Sequence, residues 1–128
     1  MIKAAAPQRL EGLLEGEDVL HTAEVCRELG AEVLRAGEGL WRVRGCGVGS
    51  LLAPRKPLDF GNSGTGMRLM MGVVGGHGIT ARFDRDASLR KRPMRRILDP
   101  LVLMGAQVLE EAAGGRCPRP LSLKCRVI

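Results

Sequence analysis

Apolar residues recur at helical spacing after Gly16: Val19, Leu20, Ala23, Cys26 and Leu29 follow the acidic pair Glu17-Asp18, and Gly30 closes the run. Acids at the N-terminal end and a glycine stop complete a helix signature. The pattern then turns to alternation. Val33 lies on one side of a turn at Gly37-Glu38-Gly39, and Trp41 and Val43 on the other, which predicts a hairpin of strands 31–36 and 40–44. From 45 to 57 glycines and prolines break the chain into loops with a short strand near Leu51. Leu58 to Gly61 leads into a second helix from about Thr65 to Val74, and Ile79 to Phe83 is strand-like. Pro93 suits the first turn of a third helix reaching Met104, which Pro100 should kink or shorten. Two closing strands, Gln107 to Glu111 and Leu121 to Cys125, are expected around a Gly114-Gly115 turn.

An internal echo supports this order. Leu29-Gly30-Ala31-Glu32-Val33-Leu34 recurs as Met104-Gly105-Ala106-Gln107-Val108-Leu109, offset by 75 residues, and each copy ends a helix and opens a hairpin. The fold class expected is α/β in a single domain of 1–128. Its 10–50 portion is the helix-and-hairpin end of one unit, and 51–125 is a complete unit of order strand, helix, strand, helix, strand, strand.

Composition narrows the function classes. In 128 residues, 45% hydrophobic and 27% charged content is a globular balance with enough chain for one core. Tyr is absent, Phe is 2 and Trp is 1, so no aromatic platform for single-stranded nucleic acid is expected, and nucleic acid is not a predicted partner. The net charge of +6 is concentrated: 82–96 holds seven bases (Arg82, Arg85, Arg90, Lys91, Arg92, Arg95, Arg96) against Asp84 and Asp86, whereas the first 30 residues hold six acids and three bases. A basic cluster in a chain whose first 30 residues are mildly acidic points to one anionic ligand. Cys26, Cys46, Cys117 and Cys125 lack metal or redox spacing and read as small core residues of a reducing compartment, with no metal expected. No apolar run has signal-peptide or membrane-spanning character, so a cytoplasmic protein without a membrane partner is expected.

Two loops carry candidate chemistry. Asn62-Ser63-Gly64-Thr65-Gly66-Met67-Arg68 sets small residues where a loop becomes a helix, and there the free N–H groups and the helix dipole favour an anion. Gly64 and Gly66 permit close approach; Asn62, Ser63 and Thr65 can cap the helix or donate to a ligand oxygen; Arg68 stands one turn in. No Lys-Ser or Lys-Thr follows to make a Walker loop. Asp86-Ala87-Ser88-Leu89-Arg90-Lys91-Arg92-Pro93-Met94 repeats the design with three bases ahead of Pro93. Solvation is the reading for Arg90 and Lys91, and anion binding for Arg92, whose guanidinium fork matches phosphate or carboxylate.

These segments, with Leu14-Glu15-Gly16-Glu17-Asp18-Val19, resemble in order and spacing the N-terminal domain of EPSP synthase (3-phosphoshikimate 1-carboxyvinyltransferase) from about Leu10 to Leu123. The Gly-Asn-x-Gly-Thr-x-x-Arg core is similar to UDP-N-acetylglucosamine enolpyruvyl transferase as well. Ser88-Leu89-x-Lys91-Arg92-Pro93-Met94 resembles the shikimate enzyme specifically. The resemblance implies βαβαββ folding units and carboxyvinyl transfer from phosphoenolpyruvate to the 5-hydroxyl of shikimate 3-phosphate, in the shikimate pathway of aromatic amino-acid biosynthesis. The reaction is an addition and elimination that needs no metal or organic cofactor and leans on charge stabilisation. By position Arg92 matches the arginine that holds phosphoenolpyruvate. Gly64 matches the glycine packed against that substrate, where the inhibitor glyphosate also binds, and Asn62, Thr65 and Arg68 match the supporting loop and helix start. Family members are several times longer. Their Lys-Ser-x-x-x-x-Arg loop has no counterpart, since Lys3 is followed by Ala4, Ala5 and Ala6, and their proton-transfer groups belong to a second domain. The expectation is a truncated N-terminal portion with no catalytic residue assigned and at most weak activity of its own, unless self-association or a second-domain partner completes the cleft. A non-catalytic anion-binding fragment is the competing reading.

Overall fold

The structure, a computed structural model, describes residues 6–47, 50–110 and 121–125. Helix α1 (Glu17–Glu28) starts on Gly16 with Glu17 and Asp18 in its first turn and ends at Leu29, whose full burial and the left-handed Gly30 (φ 103°) set the exit toward the first sheet. Strands β2 (Glu32–Gly37) and β3 (Leu40–Arg44) form the expected hairpin, pairing Val33 with Val43 and Arg35 with Trp41. Their inward residues Val33 and Trp41, with Ala31 just ahead of β2, make a small core with Ala23 and Cys26 of α1. A further strand, β1 (Pro7–Leu10), escapes the sequence pattern. It pairs antiparallel with β3 and gives the sheet order β1-β3-β2. Residues 7–9 are exposed, as on a sheet edge, so no alternation marks them.

The second sheet has the order β4-β5-β7-β6, formed by β4 (Leu58–Asp59), β5 (Thr80–Asp84), β6 (Ala106–Glu110) and β7 (Leu121–Cys125). Strands β4 and β5 run parallel, Leu58 beside Phe83 and Asp59 beside Asp84, while β7 is antiparallel to both β5 and β6. Helix α2 (Gly64–Gly75) is the crossover between β4 and β5, burying Met67, Met70, Met71 and Val74 on one face. With Phe60 and Phe83, stacked at 5.8 Å between ring centroids, these residues form a core in which Leu89, Met94 and Leu98 complete the packing. Helix, strand and hairpin thus follow the βαβαββ order of the α/β class.

Two expectations change. Among the described residues no strand occurs near Leu51. That residue is buried in a loop, and the N–H of Leu52 donates to the carbonyl of Leu29, so this stretch seals the first unit against the second. The expected third helix divides into α3 (Ala87–Arg90) and α4 (Arg95–Leu103). Pro93 therefore precedes a helix instead of occupying its first turn, and α4 passes through Pro100 without ending there. The split has a local cause, because the Asp86 carboxylate accepts the Leu89 N–H and starts its own turn upstream of Pro93. The Gly114-Gly115 turn and Cys117 lie outside the described residues.

A candidate anion-binding site at the start of helix α2

The parallel pairing of β4 and β5 brings the two candidate loops together at the ends of adjacent strands. Phe60 N–H donates to Asp84 O at 3.1 Å and Asp86 N–H to Gly61 O at 2.8 Å, so the loops are joined by their backbones. Gly61 takes φ 54°, and a Cβ built there would lie 2.7 Å from His21 Nε2. Both the left-handed backbone and the contact demand glycine. The turn is closed by the Asp59 carboxylate, which accepts Gly61 N–H at 2.8 Å, and by Ser63 N–H donating to Phe60 O at 2.9 Å. Ser63, 6% exposed, caps α2 by accepting Gly66 N–H at 3.1 Å. Among the three small polar residues of this loop, Ser63 is therefore committed to the backbone, whereas Asn62 and Thr65 are exposed.

Gly64, buried in the first turn of α2, is the point of convergence. A Cβ built on it would stand 3.2 Å from Arg68 Nη1, 3.5 Å from Arg92 Nη1 and 3.2 Å from Leu89 Cδ1. One turn of helix separates Gly64 from Arg68, whose side chain folds back along α2. Arg92 arrives from the other loop through α3, its N–H donating to Leu89 O at 3.0 Å. Among the described residues neither guanidinium has a carboxylate partner, in contrast to Arg27 with Glu24 at 3.0 Å and Arg35 with Glu15 at 2.8 Å. Two like charges held about one glycine at a helix start repel each other, and an anion placed between them relieves that repulsion while gaining bidentate hydrogen bonds.

Of the residues singled out in the sequence, Gly64, Arg68 and Arg92 meet. Asn62 stands exposed on the adjoining turn, and Thr65 borders a different concavity. The reading of two equivalent anion-type helix starts needs correction. Lys91 and Arg92 follow the C-terminal end of α3 and precede α4, whose N-cap, Met94, makes no side-chain cap bond, so Arg92 stands between two helices and not ahead of a single one. Within the basic run 82–96 the side chains do not share one setting, since Arg85 is 3% exposed whereas Lys91 and Arg95 are exposed. The carboxylates nearest the loops are tied to backbone N–H groups: Asp59 to Gly61, Asp84 to Arg85 and Asp86 to Leu89, each at 2.8 Å.

A broader concavity of about 440 Å³ lies between α1, the first sheet and α2, and it is lined by Leu13, Val19, Ala23, Trp41, Val43 and Leu69 among others. Neither arginine reaches it, and its apolar walls suit no anion. No group of three or more His, Cys, Asp or Glu side chains among the described residues is arranged to hold a metal ion, and no described helix is long and apolar enough to cross a membrane.

The fold is an α/β arrangement of βαβαββ order, the architecture of the enolpyruvyl transferases. The family model of EPSP synthase (3-phosphoshikimate 1-carboxyvinyltransferase) matches residues 3–121, and the chain belongs to that family. It is 69% identical over 113 residues to the 3-phosphoshikimate 1-carboxyvinyltransferase of Methylobacterium sp. (strain 4-46), covering 88% of this chain and 25% of that protein. Against the enzyme of the same name from Rhodopseudomonas palustris (strain TIE-1) it is 59% identical, covering 92% of this chain and 26% of the other. A solved EPSP synthase from Acinetobacter baumannii superposes with a TM-score of 0.87 at 38% identity, over 96% of this chain and 27% of that one. The chain thus spans about a quarter of the length of the curated relatives it matches.

Proposed function

We propose that this chain forms the phosphoenolpyruvate-binding portion of a 3-phosphoshikimate 1-carboxyvinyltransferase, acting in the cytoplasm on phosphoenolpyruvate and shikimate 3-phosphate. The observation that carries the reading is the convergence of Arg68 and Arg92 on buried Gly64 at the start of α2. Phosphoenolpyruvate presents a phosphate and a carboxylate, both matched by guanidinium forks. Addition of a hydroxyl to its double bond, followed by loss of phosphate, needs positive charge held in place beforehand at the phosphorus-bearing end. By sequence position Asn62 and Thr65 belong to the same loop and helix start, but the point itself is formed by Gly64, Arg68 and Arg92. Glyphosate, an anion of similar charge, is expected at the same place, since Gly64 leaves room beside the arginines.

Transfer also requires a proton donor for the methylene carbon and a base for the attacking hydroxyl. Asp59, Asp84 and Asp86 each accept a backbone N–H and Asp99 lies within α4, and nothing among the described residues aims any of the four at the site, so the 128-residue chain is expected to bind phosphoenolpyruvate and turn it over weakly or not at all unless self-association or a second-domain partner completes the cleft. The family match and the Ser88-to-Met94 segment favour the shikimate enzyme over its UDP-N-acetylglucosamine relative. Calorimetric titration with phosphoenolpyruvate tests the reading. Arg92→Ala should weaken binding by about 1.5 to 3 kcal/mol, the worth of a hydrogen bond to a charged group, and Arg90→Ala by much less. Equal losses would reduce the cluster to diffuse charge.

A further inference from the structure

Between β5 and Arg92 stands a carboxylate whose presence beside an anion site needs explaining. Asp86 sits immediately before α3, exposed, in the loop that delivers Arg92. Its charge opposes that of any anion held by Arg68 and Arg92. Yet it makes two connections at once: its Oδ1 accepts Leu89 N–H at 2.8 Å, and its own N–H donates to Gly61 O at 2.8 Å. The first bond closes α3, and the second fastens that turn to the loop ahead of α2. A helix of four residues does not sustain itself, because nucleating a turn fixes several dihedrals for each hydrogen bond gained, so the side-chain cap decides whether this turn forms. Two consequences reach the site. Leu89, fully buried, presses Cδ1 toward Gly64, and the Leu89 carbonyl accepts the Arg92 N–H.

We infer that Asp86 is a positioning residue: its carboxylate, by capping α3 while its backbone holds the Gly61 turn, sets the Arg92 guanidinium against Gly64. The inference rests on the anion-site reading above and gives a sign that electrostatics alone reverses. If Asp86 acted only as a nearby charge, removing it would tighten anion binding. As a cap, its loss loosens the arginine despite removing the opposing charge.

The experiment compares the 128-residue chain with Asp86→Ala and Asp86→Asn, using phosphoenolpyruvate titration and amide hydrogen exchange on the ligand-free proteins. Asp86→Ala should bind about tenfold more weakly, in line with the loss of a side-chain cap. It should also exchange faster at Leu89 and Arg92, with β2 and β3 unchanged. Asp86→Asn keeps an oxygen acceptor without the charge, so it should exchange like wild type and bind at least as tightly. Alanine binding as well as wild type with unchanged exchange, or asparagine as weak as alanine, overturns the inference. If wild type itself ignores phosphoenolpyruvate, the functional reading of the site fails, and exchange at Leu89 and Arg92 alone decides: protection lost in alanine and kept in asparagine upholds the cap, and protection unchanged in alanine overturns it. Should the alanine variant not fold, Asp86→Gly, which a cap position tolerates better, takes its place under the same criteria.

Discussion

The two sheets of this chain handle charge in opposite ways. In the first unit, Glu15 gathers its partners around one carboxylate: both oxygens accept from Arg35 at 2.8 and 2.9 Å, and Oε1 also accepts from Gly39 N–H and Trp41 Nε1–H at 2.9 Å. That cluster ties the segment before α1 to the β2–β3 hairpin, and its charges are satisfied within the protein. In the second unit, sulfur-rich and aromatic packing under α2 provides the cohesion, and it holds Arg68 and Arg92 toward one point with no carboxylate partner among the described residues. Charge neutralised inside a fold serves stability, whereas charge held apart by an apolar frame is available to a ligand. His21 bridges the two regimes, its Nδ1 lying 3.2 Å from the Asp59 carbonyl, so the first unit braces the loop that precedes the site.

The contrast breaks most severely at the packing beneath the site. Phe83 is fully buried, stacked on Phe60 and paired in register with Leu58. Phe83→Ala should cost about 3 to 5 kcal/mol, the usual price of emptying an aromatic core position, and should abolish phosphoenolpyruvate binding with it. Urea denaturation and titration on the same preparation check this; a stable variant that binds normally would show that the second core does not hold the arginines.

Gly64→Ala is smaller and more selective. The methyl meets Arg68 Nη1 at 3.2 Å, which can swing aside, and buried Leu89 Cδ1 at 3.2 Å, which has little freedom. Overpacking of this kind costs about 1 to 3 kcal/mol. Glyphosate, the bulkier occupant, should lose more affinity than phosphoenolpyruvate when the two are titrated in parallel. Equal losses would mean that the added methyl acts by displacing Arg68 and not by narrowing the site.

Effects confined to the first unit should leave the site alone. The bidentate bonds from Arg35, then the Gly39 N–H, hold the Glu15 carboxyl down to about 2 from an ordinary 4.5. Because its folded value is depressed, the stabilisation is complete above 4.5 and fades as pH falls toward about 2. Acid titration of stability should therefore show a loss across that window that Glu15→Gln flattens, with phosphoenolpyruvate affinity at neutral pH unchanged in the variant. A binding change at neutral pH would mean that the Glu15 cluster reaches the site through the His21 contact and the core that Val25 and Leu29 share with α2.

Much of this arrangement is legible in the chain, and the exceptions share a cause. Helical spacing from Val19 to Leu29 and alternation about Trp41 are local signals, and α1 and the β2–β3 hairpin stand where they predict. The division of the third helix was hidden because Pro93 is a strong helix-start signal, while the competing start at Asp86 depends on a carboxylate reaching back to Leu89 N–H. Burial of Arg85 does not show in a charge count, and β1 does not show in periodicity because residues 7–9 are exposed and its pairing with β3, more than thirty positions along the chain, leaves no local mark. Of the site, residue types and helix start were readable from sequence. That Arg68 and Arg92 meet at Gly64 follows from the parallel pairing of β4 with β5, a long-range fact that no local pattern encodes.

The central claim, that Arg68 and Arg92 act on one anion, is tested most directly by a double-mutant cycle. Phosphoenolpyruvate affinity is measured calorimetrically for wild type, Arg68→Ala, Arg92→Ala and the double variant. Side chains that share a partner should show a coupling energy of about 0.5 to 3 kcal/mol, the double variant losing less than the sum of the single losses. Strictly additive losses, or singles that bind as wild type does, would contradict the account and leave the convergence on Gly64 without a ligand.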